Sequence, residues 1–233
     1  MNNKFFADKN DFFKYDLLLE VMEKSPFLKQ LTFIPMLTPM DDRKGGELKD
    51  YKPGNGRMDL YEFLKKCLNT ERRDIRQLTK FFGKKTFHYT PYRDSTFFSN
   101  KTRSEYFAAI PEAALDTALI FFDPDNGLSH SRKTDDKHLI YDELERVYGR
   151  VRDPSLILVY YHLPRVSREA LFRSINRQLD HFQPRPKTTF IHDNRIAFLS
   201  LAKQARIHAD VETILRDYAA RIPIEPGVWS PLT

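Results

Sequence analysis

The stretch that decides the fold is Ala118-Leu119-Ile120-Phe121-Phe122-Asp123-Pro124-Asp125-Asn126-Gly127. Its first five residues form an unbroken apolar run, which predicts a β-strand that is covered on both faces. Its last five residues predict a tight turn, because Pro124 fixes the backbone φ angle and Asn126-Gly127 tolerates positive φ. Two carboxylates therefore follow a buried strand, where a carboxylate is costly unless it is paired or used. We expect the functional centre of the chain at this strand end.

Helical and extended patterns alternate on both sides of this stretch. Apolar residues at helical spacing predict helices over 11–24, 59–82 (one helix or two), 104–115, 141–148, 167–182 and 210–221. Apolar or β-branched runs predict strands over 31–37, 86–90, 118–122, 155–161, 188–192 and 195–202. The last two strands are expected to form a hairpin that turns at Asp193-Asn194.

This order of elements predicts the fold class and the domain organisation. Strands that alternate with helices indicate one α/β domain over residues 1–233. We expect a Rossmann-like, mostly parallel sheet with helices on both faces and a C-terminal antiparallel hairpin. A flexible polar loop is predicted at 40–58, and a C-terminal tail at 222–233 is expected to lie over the surface.

The composition excludes several classes of protein. The chain has 233 residues and 41% hydrophobic content, which suffices for a substantial core. No apolar run approaches the roughly 20 residues that span a bilayer, and the first residues do not resemble a signal peptide, so we expect no membrane partner. The single cysteine, Cys67, excludes an internal disulfide and a cysteine-built zinc site. A cytoplasmic location is therefore predicted.

The charge favours a polyanionic partner such as nucleic acid, although ordinary solubility would explain the same balance. Lysine and arginine number 38 against 32 acidic residues, a net charge of +6. Basic residues concentrate in two stretches, Arg72, Arg73, Arg76, Lys80, Lys84 and Lys85, and Arg165, Arg168, Arg173, Arg177, Arg185 and Lys187. Aromatic residues accompany the first stretch, as single-stranded nucleic acid would require. A solvated helix face followed by an amphipathic strand has the same pattern.

Polar residues follow three of the predicted strands. Because ligands of parallel sheets bind beyond the carboxyl ends of the strands, these residues are expected to share one rim. They are Pro39, Asp41 and Asp42 after the first strand, Asp123, Asp125 and Asn126 after the central strand, and Tyr160, Tyr161, His162 and Arg165 at the third. The expected catalytic residues are Asp123, Asp125, Asn126, His162 and Arg165.

Two short motifs resemble the large-subunit ribosomal RNA adenine methyltransferase family. Asp123-Pro124 after an apolar strand resembles the (D/N)PP(Y/F/W) motif of amino-methyltransferases, and residues 9–18 resemble the N-terminal motif NHADxxKH. The resemblance implies S-adenosylmethionine as cofactor, and it implies that Asp123 holds the amine of a flipped or single-stranded base. Asp125 and Asn126 stand where that family has its second proline and its stacking aromatic residue. The residues that the resemblance assigns to the cofactor are Asp11, Lys14, Tyr15 and Asp41.

A wider resemblance covers most of the chain. It is to an uncharacterised bacterial family with motifs of the form DxxDFxKYxLL and FFDPDNGL, and with a strand that ends in a histidine and Pro-Arg. The matching segments of this chain are residues 8–18, residues 121–128, and His162 followed by Pro164-Arg165.

Two other functions remain open from the residues. A magnesium-dependent nuclease needs carboxylates and a lysine that converge on the metal, and Pro124-Asp125 followed by Asp135-Asp136-Lys137 formally fits the pattern PD-(D/E)xK. Asp123 and Asp125 would then bind the metal, with Asp142 and Glu143 as further acids nearby. A separate possibility is a histidine–aspartate metal site, because His130 and His138 flank the acidic loop. The third possibility is a non-enzymatic nucleic-acid-binding domain with a degenerate cofactor site.

Overall fold

A computed structural model describes residues 1–40, 48–70, 72–129, 135–222 and 227–230. In these residues a seven-stranded sheet forms the centre of the molecule. Its strands, from one edge to the other, are His88–Pro91 (β2), Gln30–Ile34 (β1), Ala118–Phe122 (β3), Leu156–His162 (β6), Ile196–Ala202 (β8), Lys187–His192 (β7) and Gly227–Trp229 (β9). A separate two-residue ladder pairs Gly127–Leu128 (β4) with His138–Leu139 (β5). The predicted rim residues Asp41 and Asp42, and the candidate ligand His130, lie outside the described residues.

The sheet is mostly parallel, as the sequence predicts. Strands β2, β1, β3 and β6 run parallel to one another, whereas β8 is antiparallel to both β6 and β7. The predicted hairpin is also confirmed: Asp193 Oδ1 accepts hydrogen bonds from the amides of Arg195 (2.6 Å) and Ile196 (2.8 Å), which closes the turn between β7 and β8. The fold is therefore Rossmann-like, with an antiparallel C-terminal part.

Helices cover both faces of the sheet. They are Lys9–Lys24 (α1), Met58–Asn69 (α2), Leu78–Phe82 (α3), Arg103–Ala108 (α4), Tyr141–Arg150 (α5), Arg168–Leu179 (α6) and Ala205–Arg221 (α7). Side chains alternate along each strand, so Leu119 and Phe121 of β3 pack with α1, whereas Ile120 and Phe122 pack on the opposite face. By the same alternation, the residue that follows Phe122 points back towards α1.

Proline accounts for two boundaries that differ from the sequence prediction. The strand predicted over 31–37 ends at Ile34, because Pro35 has no amide for the ladder and Met36 adopts a φ of 43°. The helix predicted over 104–115 ends at Ala108, and residues 112–115 form a separate 3₁₀ turn after Pro111.

The predicted tail also differs. Residues 227–229 do not merely lie over the surface; they form the edge strand β9, antiparallel to β7. The final helix begins at Ala205 rather than at Asp210. The predicted helical region 59–82 consists of α2 and α3 with a 3₁₀ turn at Ile75–Gln77 between them.

Candidate functional site

A cavity of about 320 Å³ lies at the carboxyl ends of β3 and β6, beside the start of α1. We call it the acidic cavity, because the described carboxylates in its wall outnumber the described cations. The carboxylates are those of Asp8, Asp11, Asp123 and Asp125. The cations are Lys14 and the α-amino group of Met1, and the remaining lining residues are Asn2, Phe5, Asn10, Pro124, Asn126, Tyr160 and His162.

The buried ion pair between Asp123 and Lys14 joins the sheet to α1. Asp123 follows Phe122 and therefore points towards α1, where its Oδ2 lies 2.7 Å from Lys14 Nζ. The same ammonium group lies 2.8 Å from Asp11 Oδ1 and 4.5 Å from the ring centroid of Tyr160. Burial alone would lower the pKa of Lys14, but the two carboxylates reverse this and hold its pKa above the usual value. Lys14 therefore stays charged between them.

The start of α1 holds the other two carboxylates of the cluster. Asp8 is the N-cap of the helix, and its Oδ1 accepts hydrogen bonds from the amides of Asn10 (2.8 Å) and Asp11 (3.0 Å). Asp11 Oδ2 accepts from the amide of Ala7 (3.0 Å) and from the hydroxyl of Tyr15 (3.3 Å). Burial, reinforced by the nearby Asp11 carboxylate, raises the pKa of Asp8 to about 7. Asp8 therefore titrates near neutral pH.

Asp125, Asn126 and His162 are the more accessible polar side chains of the cavity. The carboxylate of Asp125 is 12% exposed and accepts a hydrogen bond of 3.4 Å from the hydroxyl of Thr38. Within the described part of the chain, the carboxamide of Asn126 makes no hydrogen bond, whereas its backbone oxygen accepts from the amide of His162 (3.3 Å). His162 is exposed, and its Nε2 lies 3.0 Å from the hydroxyl of Tyr160.

Three effects lower the pKa of His162. Partial dehydration of the ring at the cavity wall is the largest, and the positive charges of Lys14 and of the Met1 α-amino group add to it. The imidazole is therefore neutral at pH 7, with a ring nitrogen able to accept or donate a proton.

The turn after β3 depends on Gly127. This residue has a φ of +104°, and a Cβ atom at its position would lie 2.6 Å from Tyr161 Cδ2 and 3.0 Å from Tyr161 Cα. A side chain at residue 127 is therefore excluded by both conformation and space. The close approach brings Asn126 next to the end of β6, where it lines the acidic cavity together with His162.

The structure brings together most of the residues that the sequence singles out, but not all. Asp123, Asp125, Asn126 and His162 line the acidic cavity, as do Asp11 and Lys14. Arg165 is exposed in the loop after β6 and does not line the cavity. Tyr15 is wholly buried in the core, with its ring against Phe33 and Phe82. Asp41 lies outside the described residues.

Sequence reasoning missed several lining residues, of which Asp8 is the most important. Its signal was the acidic pair Asp8 and Asp11 just before the apolar run of α1, which is the pattern of a helix N-cap. Asn2, Phe5 and Asn10 carry no comparable local signal. Asn2 and Phe5 reach the cavity because the segment before α1 packs across the end of the sheet, and Asn10 reaches it from the first turn of α1.

The second half of the nuclease pattern does not reach the cavity. Asp135 lies 2.7 Å from Nδ1 of His138, and Asp136 accepts a hydrogen bond from the amide of Asn100. Glu143 is buried against Arg103, with Nη2 2.8 Å from Oε2, and Asp142 is exposed on α5. In the ranges that the structure describes, no group of three or more histidine, cysteine, aspartate or glutamate side chains is arranged to hold a metal ion.

The crevice between the ends of β1 and β3 is filled by residues of this chain. Met1 O accepts a hydrogen bond of 2.7 Å from the amide of Thr38, and Asn2 Nδ2 donates to Pro39 O (2.9 Å). The α-amino group of Met1 donates to Asp123 O (2.9 Å). Lys14 is already paired with Asp11 and Asp123, and Tyr15 is buried in the core. Together with these contacts, this makes the surroundings of β1 a poor binding site for S-adenosylmethionine.

Comparison with known proteins adds no assignment. No protein-family model matches the chain, and no curated protein matches it. Within the described segments, every helix is too short or too polar to cross a membrane.

Proposed function

We propose that this chain is a methyltransferase-like domain that binds nucleic acid, or a nucleotide, by accepting an amine-bearing base in the acidic cavity. The observation that carries the proposal is the position of Asp125 and Asn126 beyond the carboxyl end of β3, where both residues line the cavity. Crevices at the carboxyl ends of parallel strands are the usual binding sites of Rossmann-like domains. The same strand end carries the Asp-Pro motif.

The charge of the cavity selects the part of a nucleotide that can enter. Four carboxylates against Lys14 and an α-amino group favour a ligand that donates hydrogen bonds. They disfavour a phosphate group, which would meet like charges at short range. An exocyclic base amine, as in adenine or cytosine, has the required donors. We therefore assign the base to the cavity and the phosphate to the surface outside it.

The size and the walls of the cavity agree with this assignment. Its volume of about 320 Å³ falls at the lower end of the roughly 300–1,000 Å³ typical of small-ligand sites. The half-buried ring of Phe5 lines it and offers a flat surface on which a base can stack. Asp125 and Asn126 can accept hydrogen bonds from the base amine, and neutral His162 can form a hydrogen bond with the base through a ring nitrogen.

S-adenosylmethionine is not assigned a role in this proposal. The residues beside β1 do not suit it, so base recognition is derived only from the groups that line the acidic cavity. Methyl transfer stays a prediction of the resemblance, and titration of the protein with S-adenosylmethionine tests it directly. The buried thiol of Cys67 agrees with a reducing compartment, and we propose a cytoplasmic location on that ground.

Calorimetric titration with nucleosides tests the proposal. Adenosine is compared with inosine, and cytidine with uridine, because the members of each pair differ mainly in an amine that is replaced by oxygen. We expect the amine-bearing nucleosides to bind about tenfold more tightly, the equivalent of about 1.4 kcal/mol. Asp125→Asn and Asn126→Ala should reduce this preference, and Lys29→Glu, before the amino end of β1 and so at the other end of the strands, should leave it unchanged. Equal affinity within both pairs would overturn the proposal.

The nuclease alternative is tested in the same samples. Single-stranded DNA and RNA are incubated with the protein in magnesium or in EDTA. Metal-dependent cleavage that is lost in Asp123→Asn and Asp125→Asn would favour the nuclease over base binding. Intact strands in both buffers would remove that alternative.

A further inference from the structure

A second cavity, of about 460 Å³, lies between the end of α2 and α3, in the first basic stretch of the sequence. We call it the cationic groove, since its described lining contains five cations and one carboxylate. These residues are Lys66, Arg72, Lys80, Lys84, Lys85 and Asp59. We propose that the cationic groove binds the phosphate backbone of single-stranded nucleic acid. The inference rests on the proposed function, because the same strand would deliver its base to the acidic cavity.

The cations of the groove are only partly neutralised by the protein. Lys85 pairs with Asp59 at 2.8 Å, and Lys80 donates a hydrogen bond of 3.0 Å to Gln77. Lys66, Arg72 and Lys84 are exposed, and in the described part of the chain their charged groups contact no carboxylate. Elsewhere on the surface, arginines such as Arg173 and Arg216 pair with a glutamate one helical turn away. The groove therefore keeps an excess of positive charge.

The floor of the groove is aromatic. The rings of Phe63 and Phe81 stack with centroids 4.9 Å apart, and Lys85 Nζ lies 4.6 Å from the centroid of Phe81. Cys67 also lines the groove, and the positive charges of Lys80, Arg72 and Lys66 oppose the rise in its pKa that burial causes. An excess of positive charge around an aromatic floor matches the charged backbone and flat bases of a single nucleic-acid strand.

The groove and the acidic cavity are connected through the chain. The amide of Arg72 donates to Cys67 O (3.0 Å), which fixes the segment after α2 against the groove. The next residues contact the segment that lines the acidic cavity: Arg73 Nε donates to Phe6 O (3.2 Å), and the amide of Ile75 donates to Asn3 Oδ1 (3.1 Å). One single-stranded nucleic acid can therefore contact both the cationic groove and the acidic cavity without crossing the molecule.

Fluorescence anisotropy with a labelled single strand of about 12 nucleotides tests the inference. The variants are Lys66→Glu, Arg72→Glu and Lys84→Glu, and Lys29→Glu is the matched control with the same change of charge. We expect each groove variant to weaken binding by at least about tenfold, and each lost phosphate contact to lower the slope of log affinity against log salt by about 1. Lys29→Glu should bind like the unaltered protein.

The outcomes separate the inference from the proposed function. If the groove variants bind like Lys29→Glu while Asp125→Asn still changes the preference between bases, the inference is wrong and the proposed function stands. If the groove variants weaken binding but all base compositions bind alike, the groove assignment stands and base recognition in the acidic cavity fails. A duplex of equal length that binds as tightly as the single strand would overturn the single-strand assignment. Circular dichroism of each variant verifies that it is folded.

Discussion

Lys14 Nζ and Asp123 Oδ2 lie 2.7 Å apart in the interior, although 109 positions separate the two residues in the chain. Each side chain is at most 4% exposed. The pair connects the first turns of α1 to the end of β3, and it forms part of the wall of the acidic cavity. The stability of the fold and the shape of the candidate site therefore depend on the same contact.

Lys14→Met should destabilise the protein strongly. The variant leaves the carboxylates of Asp11 and Asp123 buried without their cation, which costs about 3–5 kcal/mol of unfolding free energy. Urea unfolding followed by circular dichroism measures the change. The double variant Lys14→Met/Asp123→Asn should recover part of the loss, because one of the stranded charges is removed.

Lys24→Met is the matched control for this prediction. Lys24 lies on the same helix and pairs with Glu20 at 2.8 Å, but its side chain is 48% exposed. Its loss should cost less than about 1 kcal/mol. Equal costs for the two lysine variants would mean that the Lys14–Asp123 pair contributes no more than a surface pair.

Alanine substitutions at two glycines should have opposite effects. Gly127→Ala combines a positive φ with a contact of 2.6 Å to the ring of Tyr161, so we expect a loss of about 1–3 kcal/mol and weaker nucleoside binding. Gly149 lies in α5, and a Cβ atom there meets nothing within 4 Å. Gly149→Ala should therefore raise the unfolding free energy by about 0.5–1 kcal/mol. Thermal unfolding of both variants checks the sign, and a stabilised Gly127→Ala would contradict our account of the turn.

Asp8 should make the stability depend on pH. Because its pKa is raised in the folded state from 3.8 to about 7, its stabilising contribution is complete below about pH 4 and is lost as the pH rises through 7. Asn also caps helices well, so Asp8→Asn removes the titration but keeps the cap. Between about pH 4 and about pH 7 the unaltered protein should lose stability relative to Asp8→Asn, on the order of 1.4 kcal/mol for each unit of pKa shift.

Asp8→Ala serves as the control for the cap itself. It should cost about 0.5–2 kcal/mol relative to Asp8→Asn at every pH, because only the capping hydrogen bonds differ. Urea unfolding at several pH values distinguishes the two effects. A constant difference between the unaltered protein and Asp8→Asn would show that the pKa of Asp8 is not raised by folding.

The elements that could be predicted from the sequence are those with local signals. Strand β3 is an apolar run bounded by a polar turn, and its predicted limits, Ala118 to Phe122, are those observed. The β7–β8 hairpin was equally predictable, because Asp193-Asn194 separates two apolar runs. The predicted and observed limits of an element differ where a proline interrupts an apolar pattern, as at Pro35. The apolar pattern continues through the proline, but proline has no amide hydrogen to donate to the ladder.

The candidate site was predictable in part. Asp123 lies two residues after Phe121, so alternation along the strand places both on the α1 face of the sheet, but no local pattern identifies Lys14 as the partner. The lining residues Asn2 and Phe5 come from a segment whose position is fixed by tertiary contacts. The resemblance over residues 9–18 assigns both Lys14 and Tyr15 to the cofactor, yet successive residues of a helix point about 100° apart, and Tyr15 faces the core.

The strand order has a consequence for how the chain assembles during synthesis. Strand β7 emerges from the ribosome before β8, but among the described strands it pairs with β8 and β9 and not with β6. Until β8 is complete, β7 has no place in the sheet, and β6 presents an open edge to other nascent chains. The short turn at Asp193-Asn194 limits this exposure, because β8 follows β7 almost at once and can add to β6 as a preformed hairpin.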